Sequence, residues 1–313
     1  MLVSCIYEFN FTMRVSVIIP SFNRVGLLPR AIDSVLNQVG AVVGECHFSV
    51  NELGSYKLEV IVIDDGSTDD TGAMMREKYP EVIYLRQDNL GVSAARNAAI
   101  KQASGDWIAL LDSDDEWLPN KLVEQLSELK KTNLQVCHTE EIWIRNGVRV
   151  NQMKKHQKSG GSIFKHCLAL CAMSPSSILL HSSVFEKVGL FDEALPACED
   201  YDLWLRVAAL YPVAYIEKPQ IYKYGGHQDQ LSRQYWGMDR FRVLALQKIL
   251  SDDLYLKALS KEERDSAHTM LLKKIKILLK GAVKHDNHLV IEDCQVMLDF
   301  WSDRFNDEGV TQC

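Results

Sequence analysis

DWIALLDSDDEW, residues 106–117, is the stretch whose reading decides the fold. DWIALLD is apolar almost throughout instead of alternating, the pattern of a strand covered on both faces. It runs straight into Asp112, Asp114, Asp115 and then Glu116. Two unit charges about 5 Å apart repel by roughly 3 kcal/mol at an effective dielectric near 20. A chain that ends a buried strand in such a knot needs a cation to resolve it, or must splay the acids into water.

The same pattern recurs upstream. VSVIIP (15–20), LEVIVIDD (58–65) and VIYLRQ (82–87) read as buried strands, the second also ending in acids. Helical spacing links them over 24–38, 69–79 and 91–103, and PNKLVEQLSELKK (119–131) is a helix opened by proline. In 69–79 the preceding GSTDD supplies Ser67 or Thr68 as a helix cap. Apolar strands separated by helices predict an α/β fold with a mainly parallel central sheet flanked by helices. Ligands of such sheets gather beyond the carboxyl ends of the strands. Asp64-Asp65 and the Asp112 cluster both sit there.

Residues 132–235 are less regular, with strands expected near 135–144 and 176–181, a polar, basic loop at 151–161 and a helix at 199–210. From 236 onward the pattern is helical. The connection from Gln38 to Glu59 far exceeds the usual ~2–6 residues; it reads as a flap, a hairpin or a partner surface. Residues 1–12 read as an extension ahead of Met13. The expected division is therefore 1–12, a domain at 13–235 with halves meeting near 118, and a helical region at 236–313.

Composition sets the class. Of 313 residues 47% are hydrophobic and 25% charged, enough for a sizeable core. A net charge of −7 argues against a general nucleic-acid-binding protein. No apolar run reaches the ~18–20 residues that span a bilayer. MLVSCIYEFNFTMR lacks a basic start and a small-residue cleavage site, so a cytoplasmic location is expected. The eight cysteines are scattered; Cys167 and Cys171 alone are not a zinc pattern, and all read as small buried hydrophobes.

Four pieces in one order, VSVIIPSFNR, VIVIDDGSTDDT, DNLGVSAARNAAIKQASGDWIALLDSDDEWLPNKL and EDYDLWLR, resemble the family 2 inverting glycosyltransferases of GT-A fold. The likeness covers about residues 13–230. It implies that Pro20, Ser21, Asn23, Asp65, Arg96, Asp112 and Ser113 surround a nucleotide-diphospho-sugar. It implies that Asp114, Asp112 and His227 serve a divalent metal, Mn²⁺ or Mg²⁺, and that Asp200, beside Glu199, is the general base.

The residues suit these roles. Hard oxygen ligands fit such a cation, which keeps positions for phosphate oxygens. On an extended segment Asp112 and Asp114 would face one site, with Ser113 turned away. Asp64 is expected only to shape its turn. Ser21 and Asn23 suit base or ribose, and equally a plain turn and cap. Arg96, ringed by Ala94, Ala95, Ala98 and Ala99 on a closely packed helix, wants an anionic partner, a diphosphate or Asp112. A carboxylate at a helix start, as at Asp200, is favoured in the charged form a base needs.

No Gln-x-x-Arg-Trp follows Asp200. The family's processive members carry that motif, so transfer of single sugars to a saccharide or lipid-linked saccharide is implied. In TMLLKKIKILLKGAVK (269–284) an apolar stripe through Leu271, Ile275 and Leu278 lies beside a row of lysines. That stripe fits packing on its own domain, or peripheral contact with an anionic membrane. Two rival functions stand beside the transferase. A sugar-nucleotide nucleotidyltransferase needs a glycine- and lysine-rich first turn, which PSFNRVGLLPR is not. A non-catalytic nucleotide-sugar scaffold would be favoured by loss of Asp112, Asp114 or Asp200, and all three are present.

Overall fold

The computed structural model describes residues 13–43, 46–47, 56–226 and 235–310. Residues 1–12, most of 44–55 and His227 lie outside them.

The chain opens with β1 (Arg14–Ser21), α1 (Leu28–Leu36), β2 (Ala41–Val43), β3 (Cys46–His47) and β4 (Tyr56–Asp64). α2 (Thr71–Lys78), β5 (Ile83–Arg86), α3 (Val92–Gln102) and β6 (Trp107–Leu110) follow. β7 (Glu116–Trp117), α4 (Lys121–Thr132), β8 (Val136–Arg145), β9 (Val148–Val150), α5 (Phe164–Cys167), β10 (Leu179–His181), α6 (Ser183–Val188), α7 (Glu199–Leu210) and β11 (Ala214–Gly225) complete the α/β part. Among the described residues four helices follow: α8 (Asp239–Ser251), α9 (Asp253–Ala258), α10 (Lys261–Lys284) and α11 (His288–Val310).

The described strands form one eleven-stranded sheet. β5, β4, β1 and β6 are mutually parallel. Beyond β6 the sheet turns mixed: β10 is antiparallel to β6 and β8, and β11 is parallel to β8. β1, β4 and β6 match the expected pattern because they are buried on both faces, whereas β5, expected as a buried strand, lies at the edge with Ile83 exposed. On β1, Ile18 points into one core and Val15, Val17 and Ile19 into the other, the period-2 consequence of an extended chain. Each such fully buried Val or Ile contributes roughly 1.5–3 kcal/mol.

β11 was not anticipated. Its register slips between Ile216 and Pro219 and again between Pro219 and Tyr222. Each bulge resets the alternation, so no clean strand pattern reaches the sequence. In the expected strand at 176–181, Pro175–Ser177 is instead a 3₁₀ turn. In the long 39–58 connection, β2 pairs antiparallel with β3 and parallel with Tyr56 and Lys57. It lies at the start of β4, the edge opposite the acids.

α10 begins with a capping box: the Glu263 N–H donates to Ser260 Oγ at 3.3 Å and the Ser260 N–H to Glu263 Oε2 at 2.9 Å. Its Leu271, Ile275 and Leu278 join the core that also holds Ile18 and Trp204. The apolar stripe is thus spent inside the protein. Lys274, on the same inner side, is buried and reaches Asp239 Oδ1 and the Ala169 carbonyl, both at 3.1 Å. Among the described residues no helix is long and apolar enough to cross a membrane.

Candidate active site

β1, β4 and β6 end along one edge, and two turns there lock each other. Asn23, at φ +53, accepts at Oδ1 from the Thr68 N–H at 2.8 Å, while its own N–H donates to Ser67 Oγ at 2.8 Å. Gly66 sits at φ +84, where a Cβ would come 2.8 Å from the Asn89 nitrogen; only glycine fits. Asp64 Oδ1 accepts from the Ser67 N–H at 2.7 Å and Oδ2 from the Tyr84 hydroxyl. Asp65 takes three donors: Gln87 Nε2 at 2.7 Å and the Leu90 and Gly91 N–H groups, each at 2.9 Å. Ser67 and Thr68 do not cap α2. The cap position, Asp70, makes no side-chain bond to the helix; Asp69, one residue earlier, accepts from the Thr71 N–H at 3.1 Å and its hydroxyl at 2.6 Å, while Ser67 is committed to Asn23. Ser21 and Ser93 are buried with no hydrogen-bond partner for either hydroxyl among the described residues.

The second acid cluster is built differently. β6 stops at Leu110, and Asp112–Asp115 is a turn closed by the Asp115 N–H on the Asp112 carbonyl at 3.0 Å. The segment is therefore not the extended one assumed from its spacing. Asp112 and Asp114 are nonetheless part-exposed, with Ser113 and Asp115 buried between and after them.

Arg96, 3% exposed, joins two motifs far apart in sequence. One guanidinium nitrogen donates to Asp112 Oδ1 at 2.7 Å and another to Glu199 Oε1 at 2.8 Å. Its Nε has no partner among the described residues, and Phe191 lies 5.1 Å beneath. Burial pulls its pKa down, but Asp112 and Glu199 outweigh that and hold it above the ordinary value. Glu199 is pushed up by burial and by Asp200 against the pull of Arg96. Asp114 is pushed up by burial and Asp112, opposed by Lys223 and Arg24.

Asp115 is the hub. It accepts from Ser176 Oγ at 2.6 Å and from the Tyr224 N–H at 2.9 Å, and Lys223 Nζ stands 3.8 Å away. Burial pushes it up to about 7, with Lys223 opposing and Asp114 and Asp112 adding. Lys223 is held above the usual lysine value: burial lowers it, but Asp115, Glu141, Asp112 and Asp114 prevail.

Asp200 is part-exposed in the first turn of α7, behind Cys198 at φ +61. A left-handed non-glycine costs about 1–3 kcal/mol and marks a constrained junction. Asp200 Oδ1 accepts from the Tyr201 N–H at 2.7 Å and Oδ2 from the Cys171 thiol at 3.1 Å. Burial and Asp200 push that thiol well up, so it stays protonated. From Cys171 the chain passes Ser174, which donates to Glu141 at 2.6 Å, and reaches Ser176, which meets Asp115 and the Asp112 N–H. Residues 171–176 thus run from one acid pair to the other.

Sequence reasoning missed this segment and Lys223. The serines carry no spacing signal, and Lys223 lies on the unanticipated β11. The expected basic loop also behaves otherwise at Lys158, which is buried 2.8 Å from Glu141 Oε2, because Glu141 inside the sheet needs a counter-charge. His227 lies outside the described residues.

The family model described as glycosyl transferase family 2 matches residues 16–166. An Escherichia coli UDP-Glc:alpha-D-GlcNAc-diphosphoundecaprenol beta-1,3-glucosyltransferase is 31% identical over 195 residues, covering 62% of this chain and 69% of its own. An uncharacterized glycosyltransferase of Rickettsia bellii is 31% identical over 204 residues, covering 63% of this chain and 26% of its own. The chain therefore belongs to glycosyl transferase family 2. Its fold is GT-A: S. aureus TarS 1-349, solved in complex with UDP-GlcNAc, superposes with a TM-score of 0.61 at 20% identity over 84% of this chain and 81% of its own. The chain spans 26% to 62% of the length of the Rickettsia relatives.

The donor set can be tested for a metal. Among the described residues no group of three or more His, Cys, Asp or Glu is arranged to hold an ion. Asp112 and Asp114 offer two part-exposed hard-oxygen ligands, and burial and the Asp112 charge hold Asp114 above its ordinary value. That fits a cation of the Mg²⁺ or Mn²⁺ type, which takes one or two carboxylates and fills its remaining positions with phosphate and water.

Proposed function

We propose that the chain is an inverting glycosyltransferase. It moves one sugar from a nucleotide-diphospho-sugar to a hydroxyl of a saccharide or lipid-linked saccharide, in cell-surface polysaccharide or glycolipid synthesis at the cytoplasmic face of a membrane. The observation that carries this reading is Arg96, which ties Asp112 to Glu199 and so brings the two acid motifs to one place. The E. coli relative, named for glucosyl transfer to a diphosphoundecaprenol-linked sugar, supports the acceptor class.

Asp200 takes the acceptor proton as that oxygen attacks the anomeric carbon. The bond to the leaving diphosphate breaks on the opposite face, which inverts the centre. The Cys171 thiol and Tyr201 N–H hold the Asp200 carboxylate in place and leave its remaining lone pairs for the acceptor. Asp65, Ser21 and Asn23 line the nucleoside side, and the free Ser21 hydroxyl is available to ribose or base. Asp114 and Asp112, with His227, would hold the metal, which supplies charge stabilisation for the leaving diphosphate. Arg96 fixes the orientation of Asp112 and, at Glu199, opposes the upward push of burial and of Asp200.

The test is a thermal-shift panel of UDP, GDP, dTDP and CMP with Mn²⁺, Mg²⁺ or chelator. A ligand at ~100 times its dissociation constant adds about 2.7 kcal/mol. A metal-dependent shift with one nucleotide, lost in Asp114→Ala and kept in Asp200→Asn, is expected. With the matching donor sugar, Asp200→Asn should then abolish turnover. Absence of any nucleotide shift in folded protein sinks the proposal, and a shift without turnover on any matching donor leaves the scaffold reading.

A further inference from the structure

Lysines inside this fold are spent on it, with one exception. Lys121 Nζ donates to Gln125 Oε1 at 2.7 Å and Lys158 Nζ to the Thr139 carbonyl at 3.1 Å. Lys274 Nζ reaches the Ala169 carbonyl and Asp239 Oδ1, both at 3.1 Å. Lys223 makes no hydrogen bond among the described residues. Its one close acid is Asp115, at 3.8 Å, beyond hydrogen-bond reach, and its side chain is 32% exposed. The acids near it have other donors. Asp115 takes Ser176 Oγ and the Tyr224 N–H, and Glu141 takes Lys158, Ser174 and the Trp143 indole N–H, the last at 2.7 Å.

The backbone fixes Lys223 where both acid motifs are felt. Tyr222 to Gly225 run in register with Ile142 to Arg145 of β8, and Tyr222 also pairs with Glu116 of β7. Asp115, Glu141, Asp112 and Asp114 all act on its charge. Lys223 acts in turn on the Cys171 thiol, which meets Asp200 at 3.1 Å. An ammonium carries three N–H donors and no acceptor. Here all three stay open to water or ligand, on a charge that four acids hold in place. A plain counter-ion of Asp115 would close to hydrogen-bonding distance, as Lys158 does on Glu141 at 2.8 Å.

We propose that Lys223 donates to the outer phosphate of the donor's diphosphate and is a catalytic residue of the transfer. The inference rests on the transferase reading and names its leaving-group residue. In the step, the acceptor oxygen bonds to the anomeric carbon and its proton passes to Asp200. The bond from that carbon to the diphosphate oxygen breaks, and its electron pair stays on that oxygen. The outer phosphate thus gains a negative charge, which Lys223 meets with a charge-assisted hydrogen bond. Because the sheet already holds the lysine, little reorganisation is needed as that charge develops.

The experiment is calorimetric titration of the full chain, in Mn²⁺, with UDP and UMP, GDP and GMP, and dTDP and dTMP. The wild type should bind one diphosphate more tightly than its monophosphate, which lacks the outer phosphate. Lys223→Met should weaken that diphosphate by about tenfold or more and the monophosphate by less than about twofold. Lys223→Arg should keep most of the preference. With the matching donor sugar, Lys223→Met should lower kcat by about 100-fold. Circular dichroism melts establish folding. Should Lys223→Met not fold, Asp115→Asn with Lys223→Met removes the stranded acid, and should show the same split against Asp115→Asn alone. Equal weakening of both nucleotides, or of neither, overturns the inference and leaves Lys223 a counter-ion of Asp115. A wild type with no preference for a diphosphate overturns it too. A wild type that binds no nucleotide at all instead overturns the donor reading beneath it.

Discussion

Two acid clusters end neighbouring strands of one sheet, and the fold stabilises them in opposite ways. Asp64 and Asp65 are satisfied by neutral donors, backbone N–H groups, a tyrosine hydroxyl and a glutamine amide, and neither makes an ion pair among the described residues. Asp112, Asp114 and Asp115 depend on cations, Arg96 and Lys223, and even so Asp114 and Asp115 are held above ordinary carboxylate values. The first cluster is complete as it stands and fixes a shape. The second remains short of positive charge, which is the state a site keeps for a charged ligand.

The sharpest way to break this contrast is to remove one hydrogen-bonding partner from each cluster. Arg96→Met leaves Asp112 and the buried Glu199 without their shared cation, and stability should fall by about 3–5 kcal/mol. Adding Glu199→Gln to that variant removes the buried charge and should recover part of the loss, a coupling read from the double-mutant cycle. Asp65→Ala strands neutral donors instead and should cost about 1–3 kcal/mol, with Asp65→Asn in between. Urea denaturation of the set decides it. An Asp65→Ala loss larger than that of Arg96→Met would show that the charged cluster is not the costlier one to disturb.

A gentler probe uses pH on the second half of the sheet. His138, buried with its ring 2.8 Å from the Ser159 carbonyl, is lowered to about 3 by burial and by Lys158. Burial would raise Glu141, but Lys158 and Lys223 prevail and lower it to about 2. Both folded values lie below the unfolded ones, so the unfolded chain binds the extra proton. Stability from His138 is therefore full above about 6.5 and lost as pH falls toward about 3. Glu141 contributes its loss only below about 4.5. Between those windows His138 adds a slope of about 1.4 kcal/mol per pH unit. The stability difference between wild type and His138→Asn should therefore change by that slope between pH 6.5 and 4.5, the opposite contribution of Asp115, raised to about 7, being common to both proteins, and an unchanged difference would mean the ring titrates normally.

The contrast also explains what the sequence disclosed. The first cluster's partners lie close along the chain, the farthest being Gly91, 26 positions from Asp65. A strand, a glycine turn and a helix start were legible there because each is a local pattern. Arg96 could be singled out from its alanine surroundings, and Asp112 was one of its two expected partners. Glu199, 103 positions from Arg96, was not. Lys223 and Tyr224, whose N–H reaches Asp115 across 109 positions, were hidden because two bulges erase the β11 pattern. Ser174 and Ser176 act through contacts that only the folded sheet creates. The apolar stripe of α10 was legible as a stripe, but what covered it was a matter of tertiary packing.

The smallest effect sets the floor for these comparisons. Lys257 and Asp253 pair at 3.1 Å across one turn of α9, with both side chains about four-fifths exposed. The Arg96 pair with Asp112, at 2.7 Å, is buried on its arginine side and shared with Glu199, whereas this one is exposed and isolated. Water screens the exposed pair, and holding two long side chains together costs entropy, so Lys257→Ala should change stability by less than about 0.5 kcal/mol. The same urea measurement checks it. A loss approaching that of Arg96→Met would mean that burial and sharing do not govern the strength of charge pairs in this protein, and the distinction between the two acid clusters would lose its physical basis.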